Sequence, residues 1–326
     1  MAETGADTNE TAPFCPDPER DGGGGGLVGG RALWCRADDG LRLRLGLWPD
    51  DPAGMRGTVL LFPGRTEYLE KYGVTATALA GRGLATLSID WRGQGLADRL
   101  LADRNIGHVE RFGDYQHDVA AMLAMAERLA LPRPWFLLAH SMGGAIGLRA
   151  LQGGLPVRAA CFTAPMWGIA LNPVVRLIAG VLIAPRHLGG LGHFYVPGTG
   201  RASYVATAPF DGNLLTTDPG MYRMLQRQII DHPDLSLGGP SLTWLGEALS
   251  ETRALTRAPA PDFPALTLLG ENERIVDTRD VQRLMSRWPG GEIQTVLGAE
   301  HEILMETPPR RDWAIDRAVT FFGRAT

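Results

Sequence analysis

Ser141 is the residue of this 326-residue chain whose neighbours best equip it to act as a nucleophile. It lies in Ala139-His140-Ser141-Met142-Gly143, the G-x-S-x-G elbow pattern with alanine at the first small position. The spacing serves the chemistry. A sharp strand-to-helix turn holds the serine backbone in a strained conformation, and small residues on either side let neighbouring chain approach. The hydroxyl then stands clear, and the N–H of Met142, at the head of the next helix, faces a developing oxyanion. The plain alternative is a strand-to-helix turn with a serine cap.

Such a serine needs a base, and the base needs an orienting acid. In sheets carrying this elbow the chain order is serine, acid, histidine. Of the downstream histidines, His187, His193 and His232 fall in a stretch without core strands. His301 follows the final strand-like run in GAEHEIL, where the base should emerge. Glu271, Glu273 and Asp277 compete as the acid after the run Ala265–Leu269. Asp277 also reads as a helix cap, and the spacing favours Glu273 with Asp277 as the alternative. The loop Phe62-Pro63-Gly64-Arg65 offers the Arg65 N–H as second oxyanion donor, or is simply a turn.

These residues require a particular frame. Thr58–Phe62, Ala85–Ile89, Trp135–Ala139, Ala159–Thr163 and Ala265–Leu269 are short apolar runs without alternation, as in strands buried on both faces. Helical patterns separate them at Leu69–Gly81, Tyr115–Ala130, Met142–Gly153 and Val281–Trp288, which implies a parallel sheet with right-handed crossovers. Ala32–Arg36 and Leu41–Trp48 read as an antiparallel hairpin at a sheet edge. The second alternates leucine with arginine, so one face is expected to be wet. Residues 1–30, with the run Gly22–Gly26, read as a disordered tail. The core is expected over 31–165 and 262–326. A helical insertion is expected over 166–261, with helical patterns at Pro173–Ala184, Gly220–Asp231 and Ser241–Leu255.

Composition narrows the function classes. Hydrophobic residues make up 44% and charged residues 21%, with a formal net charge of -4. There is no basic footprint for nucleic acid and no polybasic membrane patch. Three widely spaced cysteines, Cys15, Cys35 and Cys161, argue against a disulfide framework or a cysteine metal site and suggest a reducing cytoplasm. The acidic, polar N-terminus does not read as a secretory signal, and no stretch is apolar enough to span a bilayer.

The stretches LLFPGRTEYLEKY, LSIDWRGQGLADR, FLLAHSMGG, LLGENERIVD and GAEHEILME together resemble the branch of α/β hydrolases that contains monoacylglycerol lipases and bacterial lysophospholipases. The PGR-x-E loop is similar to that of the lysophospholipase group, as are NLLT, GGPS and Trp244 in the insertion. The resemblance covers the chain from about Arg31 onward. It implies the α/β-hydrolase fold, a mostly parallel central sheet flanked by helices with a helical cap insertion. It also implies Ser141 as nucleophile, His301 as base and Glu273 where the family usually has aspartate. Ala97, in a place that usually carries serine, and Ala139 are departures. No cofactor or metal is expected. The expected partner is a small acyl ester, a lysophospholipid or monoacylglycerol-like lipid. Met166, Trp167 and Ile169 should lie over Ser141. With Val174, Val175, Leu177, Ile178, Val181, Leu182 and Ile183 they would form an apolar roof, touching substrate or the inner face of a membrane. The same pattern also suits a cap helix packed on the core. A thioesterase, lactonase, short-chain esterase or peptidase would use the same residues. An inactive hydrolase-fold binding protein is the alternative of a different class. The sequence leaves the oligomeric state open.

Overall fold

Every residue of Thr58–Phe62 is buried, and its side chains divide between two cores. Leu60 and Phe62 join Leu137 and Ala139 on one face, whereas Val59 and Leu61 join Phe136 and Leu138 on the other. A strand covered on both faces belongs inside a sheet layered by helices. The computed structural model, which describes residues 10–15, 29–170, 183 and 191–325, has that layering.

Nine strands form one sheet: β1 (Thr11–Ala12), β2 (Arg31–Arg36), β3 (Arg42–Trp48), β4 (Thr58–Phe62), β5 (Ala85–Asp90), β6 (Trp135–His140), β7 (Ala160–Thr163), β8 (Ala265–Gly270) and β9 (Gly291–Val296). Their order is β1-β2-β3-β5-β4-β6-β7-β8-β9. The ladders from β5 through β9 are parallel, and those joining β1, β2, β3 and β5 are antiparallel. Helices α1 (Gly73–Ala80), α2 (Tyr115–Arg128), α3 (Met142–Gln152), α4 (Pro219–Asp231), α5 (Leu242–Arg257), α6 (Thr278–Met285) and α7 (Pro308–Arg324) complete the frame. Leu79 of α1 and Ile315 and Phe321 of α7 cover one face. Met122 of α2, Ile146 of α3 and Val281 of α6 cover the other. The helix expected over Leu69–Gly81 is a 3₁₀ turn, Leu69–Tyr72, running into α1.

Among the described residues no strand of the sheet lies between β7 and β8, and α4 and α5 occupy that interval. The helical pattern Pro173–Ala184 lies outside the described residues except for Ile183, which is buried. Residues 10–15 depart from the expected tail. Thr11 and Ala12 pair with Leu33 and Ala32, Ala12 is buried, and the Phe14 ring lies 5.5 Å from that of Trp48. The low apolar content of the whole N-terminal stretch conceals a short segment whose backbone completes the open edge of β2.

A second correction concerns β3. Arg44 is not on a wet face: its side chain is fully buried. Its Nε donates to Asp90 Oδ2 at 2.7 Å, and its Nη1 and Nη2 donate to the Glu70 carboxylate at 2.7 and 2.8 Å. Local alternation missed this because the two acids arrive from separate elements. Arg44→Met would strand two buried carboxylates, and the expected loss is about 3–5 kcal/mol of unfolding free energy. Urea denaturation measures it, and a loss below about 1 kcal/mol would contradict the pairing.

Candidate active site

The turn between β6 and α3 places Ser141 at φ 49 and ψ -117, a left-handed conformation that a non-glycine residue holds only under tertiary constraint. Its N–H donates to Thr163 O at 3.1 Å, and its carbonyl accepts from Met166 N at 2.8 Å. Gly143 is required by contact, since a Cβ there would stand 2.1 Å from Phe62 O. Ala139 replaces a glycine of the motif, and helix α3 compensates. Gly147 faces it, and even a single added carbon at Gly147 would lie 3.4 Å from Ala139 Cβ.

His301 enters from the loop after β9. Its Nε2 is 2.9 Å from Ser141 Oγ and its Nδ1 is 2.7 Å from Glu273 Oε2. The other oxygen of Glu273 accepts from the Ile275 and Val276 amides at 2.7 and 3.0 Å. Burial acts to raise the Glu273 pKa. The bond to His301, the charge of His301 and the two amides outweigh it and hold the carboxyl below its ordinary range. The Glu273 and His301 loops meet closely because Gly270 has no side chain: a Cβ there would be 2.3 Å from Glu300 O. The inserted segment also grips the His301 loop, with His301 N donating to Leu214 O and Glu302 N to Leu215 O.

Asp277 does not join this group. It caps α6, accepting from Arg279 N at 3.1 Å, and pairs with the Arg279 side chain. Glu271 instead accepts from Gly298 N at 2.8 Å. Met142 is the first residue of α3, so its N–H has no acceptor within the helix. The loop carrying Arg65 is pinned on both sides. Trp91 Nε1 donates to Pro63 O, Gln94 Nε2 to Gly64 O, Gly64 N to Glu67, and Thr66 N to Gln94 Oε1. Among the described residues, no acceptor is bonded to the Arg65 N–H.

Ser141 and His301 open onto a cavity of about 580 Å³, whose walls include Met166, Ile169, Leu225 and Trp244. That volume suits a small organic ligand. Trp167, expected to line it, does not. Its indole is fully buried against Phe162 and Trp288 and donates to Gly144 O at 3.0 Å. Past Ala164, at φ 44, the chain turns so that Met166 and Ile169 reach the cavity while Trp167 points inward. The remaining apolar roof residues, Val174 through Leu182, lie outside the described residues.

One cluster beside the site escaped the sequence analysis. Lys71 Nζ lies 2.6 Å from both Glu67 Oε1 and Glu302 Oε2. The His140 ring stands 4.9 Å from that of His301, and its Nε2 is 3.1 Å from Glu302 Oε2, off the hydrogen-bonding direction. All four side chains are buried. The available signal was the i,i+4 spacing of Glu67 and Lys71, but its partners lie far along the chain. Burial pulls the His140 pKa down, yet the charges of Glu302 and Glu67 raise it above 6.5. A histidine raised on folding stabilises fully below its unfolded pKa and loses that contribution as pH rises through the folded value. The stability advantage of wild type over His140→Gln should therefore shrink from about pH 6 to pH 9, as followed by urea midpoints. A constant difference would mean that folding does not raise the His140 pKa, and an advantage growing with pH would place a neutral imidazole there.

A parallel sheet carrying a strained serine at the head of a central helix, with a histidine delivered after the last strand, is the architecture of the α/β hydrolases. Residues 53–308 match the Hydrolase_4 model, serine aminopeptidase S33, and the chain belongs to that family. It is 38% identical over 282 residues to lysophospholipase L2 of Escherichia coli strain K12, an alignment spanning 82% of this chain and 80% of that protein. Identity to the probable lysophospholipase L2 of Haemophilus influenzae is 29% over 256 residues, 78% of this chain and 80% of that protein. Among solved structures, a soluble variant of monoglyceride lipase from Saccharomyces cerevisiae superposes with a TM-score of 0.68 at 20% identity. That match covers 90% of this chain and 94% of that one.

Proposed function

We propose that this protein hydrolyses the carboxylic ester of a single-chain lipid, a lysophospholipid in the first instance, through an acyl-enzyme on Ser141. The observation that carries the reading is the continuous hydrogen-bonded line Ser141–His301–Glu273 at an apolar-walled cavity. His301 takes the Ser141 proton as the hydroxyl attacks the ester carbonyl. The Met142 and Arg65 amides receive the oxyanion, and Glu273 holds the imidazole tautomer and offsets its charge. The tetrahedral intermediate expels the glycerol alkoxide, which leaves with the proton from His301. Water then attacks the acyl-enzyme with the same base. No step is routed through a metal or cofactor. The names of the curated relatives support the lipid substrate.

Among the described residues no helix is long and apolar enough to cross a membrane. Exposed Leu191, Phe194 and Tyr204 in the inserted segment support peripheral contact with a bilayer, which vesicle co-sedimentation measures.

The test of substrate class is a screen of purified protein over lysophospholipids, monoacylglycerols and p-nitrophenyl esters of graded length, with Ser141→Ala as blank. Lysophospholipids should give the highest kcat/KM, and octanoate should be preferred to acetate. Preference for acetate would defeat the lipid reading while leaving the esterase intact.

A further inference from the structure

Arg65 lies on the wall of the same cavity as Ser141. Its Nη2 donates to Gly238 O at 2.7 Å, its Cζ lies 5.0 Å over the Trp244 ring, and its Nε has no hydrogen-bond partner. No carboxylate among the described residues answers its charge: the one ionisable group that acts on it is Tyr115. Burial accordingly pushes its pKa down to about 10. Three buried cations contrast with it, whereas Arg99, with Nε and Nη1 unbonded and Nη2 on backbone carbonyls, shares its lack of a carboxylate ion pair among the described residues. Arg44 is paired with Glu70 and Asp90, Arg92 with Asp39 and Asp118, and Lys71, which also borders the cavity, is locked between Glu67 and Glu302. A half-buried guanidinium on a cavity wall, with no carboxylate partner, gains from an anion that completes it. Its planar fork matches the oxygens of a phosphate.

The position is also right in length. From the ester carbonyl carbon of a 1-acyl-glycerophospholipid to its phosphorus there are as many bonds as from the Arg65 backbone nitrogen to its guanidinium carbon. One residue can therefore present its amide to the scissile ester and its side chain to the phosphate beyond the glycerol. We propose that the Arg65 guanidinium is the phosphate-binding group of this site, selecting glycerophosphodiester lipids over uncharged monoacylglycerols. The proposal rests on the single-chain lipid ester reading given above.

The primary measurement is the ratio of kcat/KM for lysophosphatidylglycerol to that for the monoacylglycerol of the same chain, in wild type, Arg65→Met and Arg65→Lys. Loss of a charge-assisted bidentate contact should lower the ratio by about ten- to a hundredfold in Arg65→Met, and Arg65→Lys should recover part of it. An equal fall for both substrates would show that the side chain only braces the loop, and would overturn the proposal. If Arg65→Met does not fold, Arg65→Gln removes the charge while keeping a donor for Gly238 O. A second measurement needs no lipid hydrolysis. Glycerophosphoglycerol should inhibit p-nitrophenyl butyrate cleavage competitively in wild type, and should lose that inhibition in Arg65→Met. Inorganic phosphate should inhibit more weakly, and stronger inhibition by phosphate than by the diester would overturn the headgroup assignment. Arg65-dependent inhibition in an enzyme inert toward lysophospholipids would uphold the subsite and sink only the substrate reading. Lysophospholipid hydrolysis with an unchanged ratio would do the reverse.

Discussion

Replacing Ser141 with alanine should lower kcat for ester hydrolysis by about 10⁴- to 10⁶-fold, the range expected when a nucleophile that works as a unit with its base is removed. The reason lies in the geometry. Ser141 Oγ is 2.9 Å from His301 Nε2, and the left-handed backbone at Ser141 turns the hydroxyl out of the sheet. No other side chain reaches the base in that way among the described contacts. The residual rate should reflect the cavity and the oxyanion amides alone. His301→Ala should fall as far, and the double variant little further, because the two groups act on one proton. Hydrolysis of a p-nitrophenyl ester measures the rates, and labelling by a fluorophosphonate should disappear in Ser141→Ala. Retention of more than about a thousandth of wild-type activity would refute the assignment.

Glu273→Gln should lower kcat by about 10³- to 10⁴-fold, whereas Asp277→Asn should stay within about threefold of wild type. The asymmetry follows from what holds each carboxylate. Oε1 of Glu273 is fixed by the Ile275 and Val276 amides, and Oε2 faces His301 Nδ1. A glutamine placed there must give its carbonyl oxygen to the two amides, which turns its NH₂ toward Nδ1. That donor forces the imidazole proton onto Nε2, the atom that must accept from Ser141, so the base is held in the wrong tautomer. Asp277 caps α6, and asparagine caps a helix about as well, so its replacement should change little. Parallel kinetics of the two variants decide the matter. A large loss in Asp277→Asn with a small one in Glu273→Gln would reverse the roles.

Most of the frame was legible in the chain. Uninterrupted apolar runs are what a strand covered on both faces requires, and they locate β4 to β8 to within a residue. The loop after the last strand narrows the histidines to one. The choice among Glu271, Glu273 and Asp277 was different in kind. All three sit within one short loop, and local pattern records only that each is polar.

The misjudged positions share that cause. Alternation in β3 is real, but the buried charge of Arg44 is satisfied by Glu70 and Asp90, which its own strand does not contain. Trp167 looked like a cavity wall by composition and proximity, yet a turn at Ala164 rotates it into the core against Trp288. Residues 10–15 read as tail because their order comes from backbone bonds to β2 and contacts with Trp48. The sequence thus established the strand order along the chain, the elbow at Ser141 and the loops that converge on it, because burial and turn chemistry are short-range properties. Which carboxylate lies against His301 Nδ1, which buried arginines find carboxylate partners and which aromatic side chain faces the cavity were decided only by folding. Each depends on groups that the sheet brings together from distant parts of the chain.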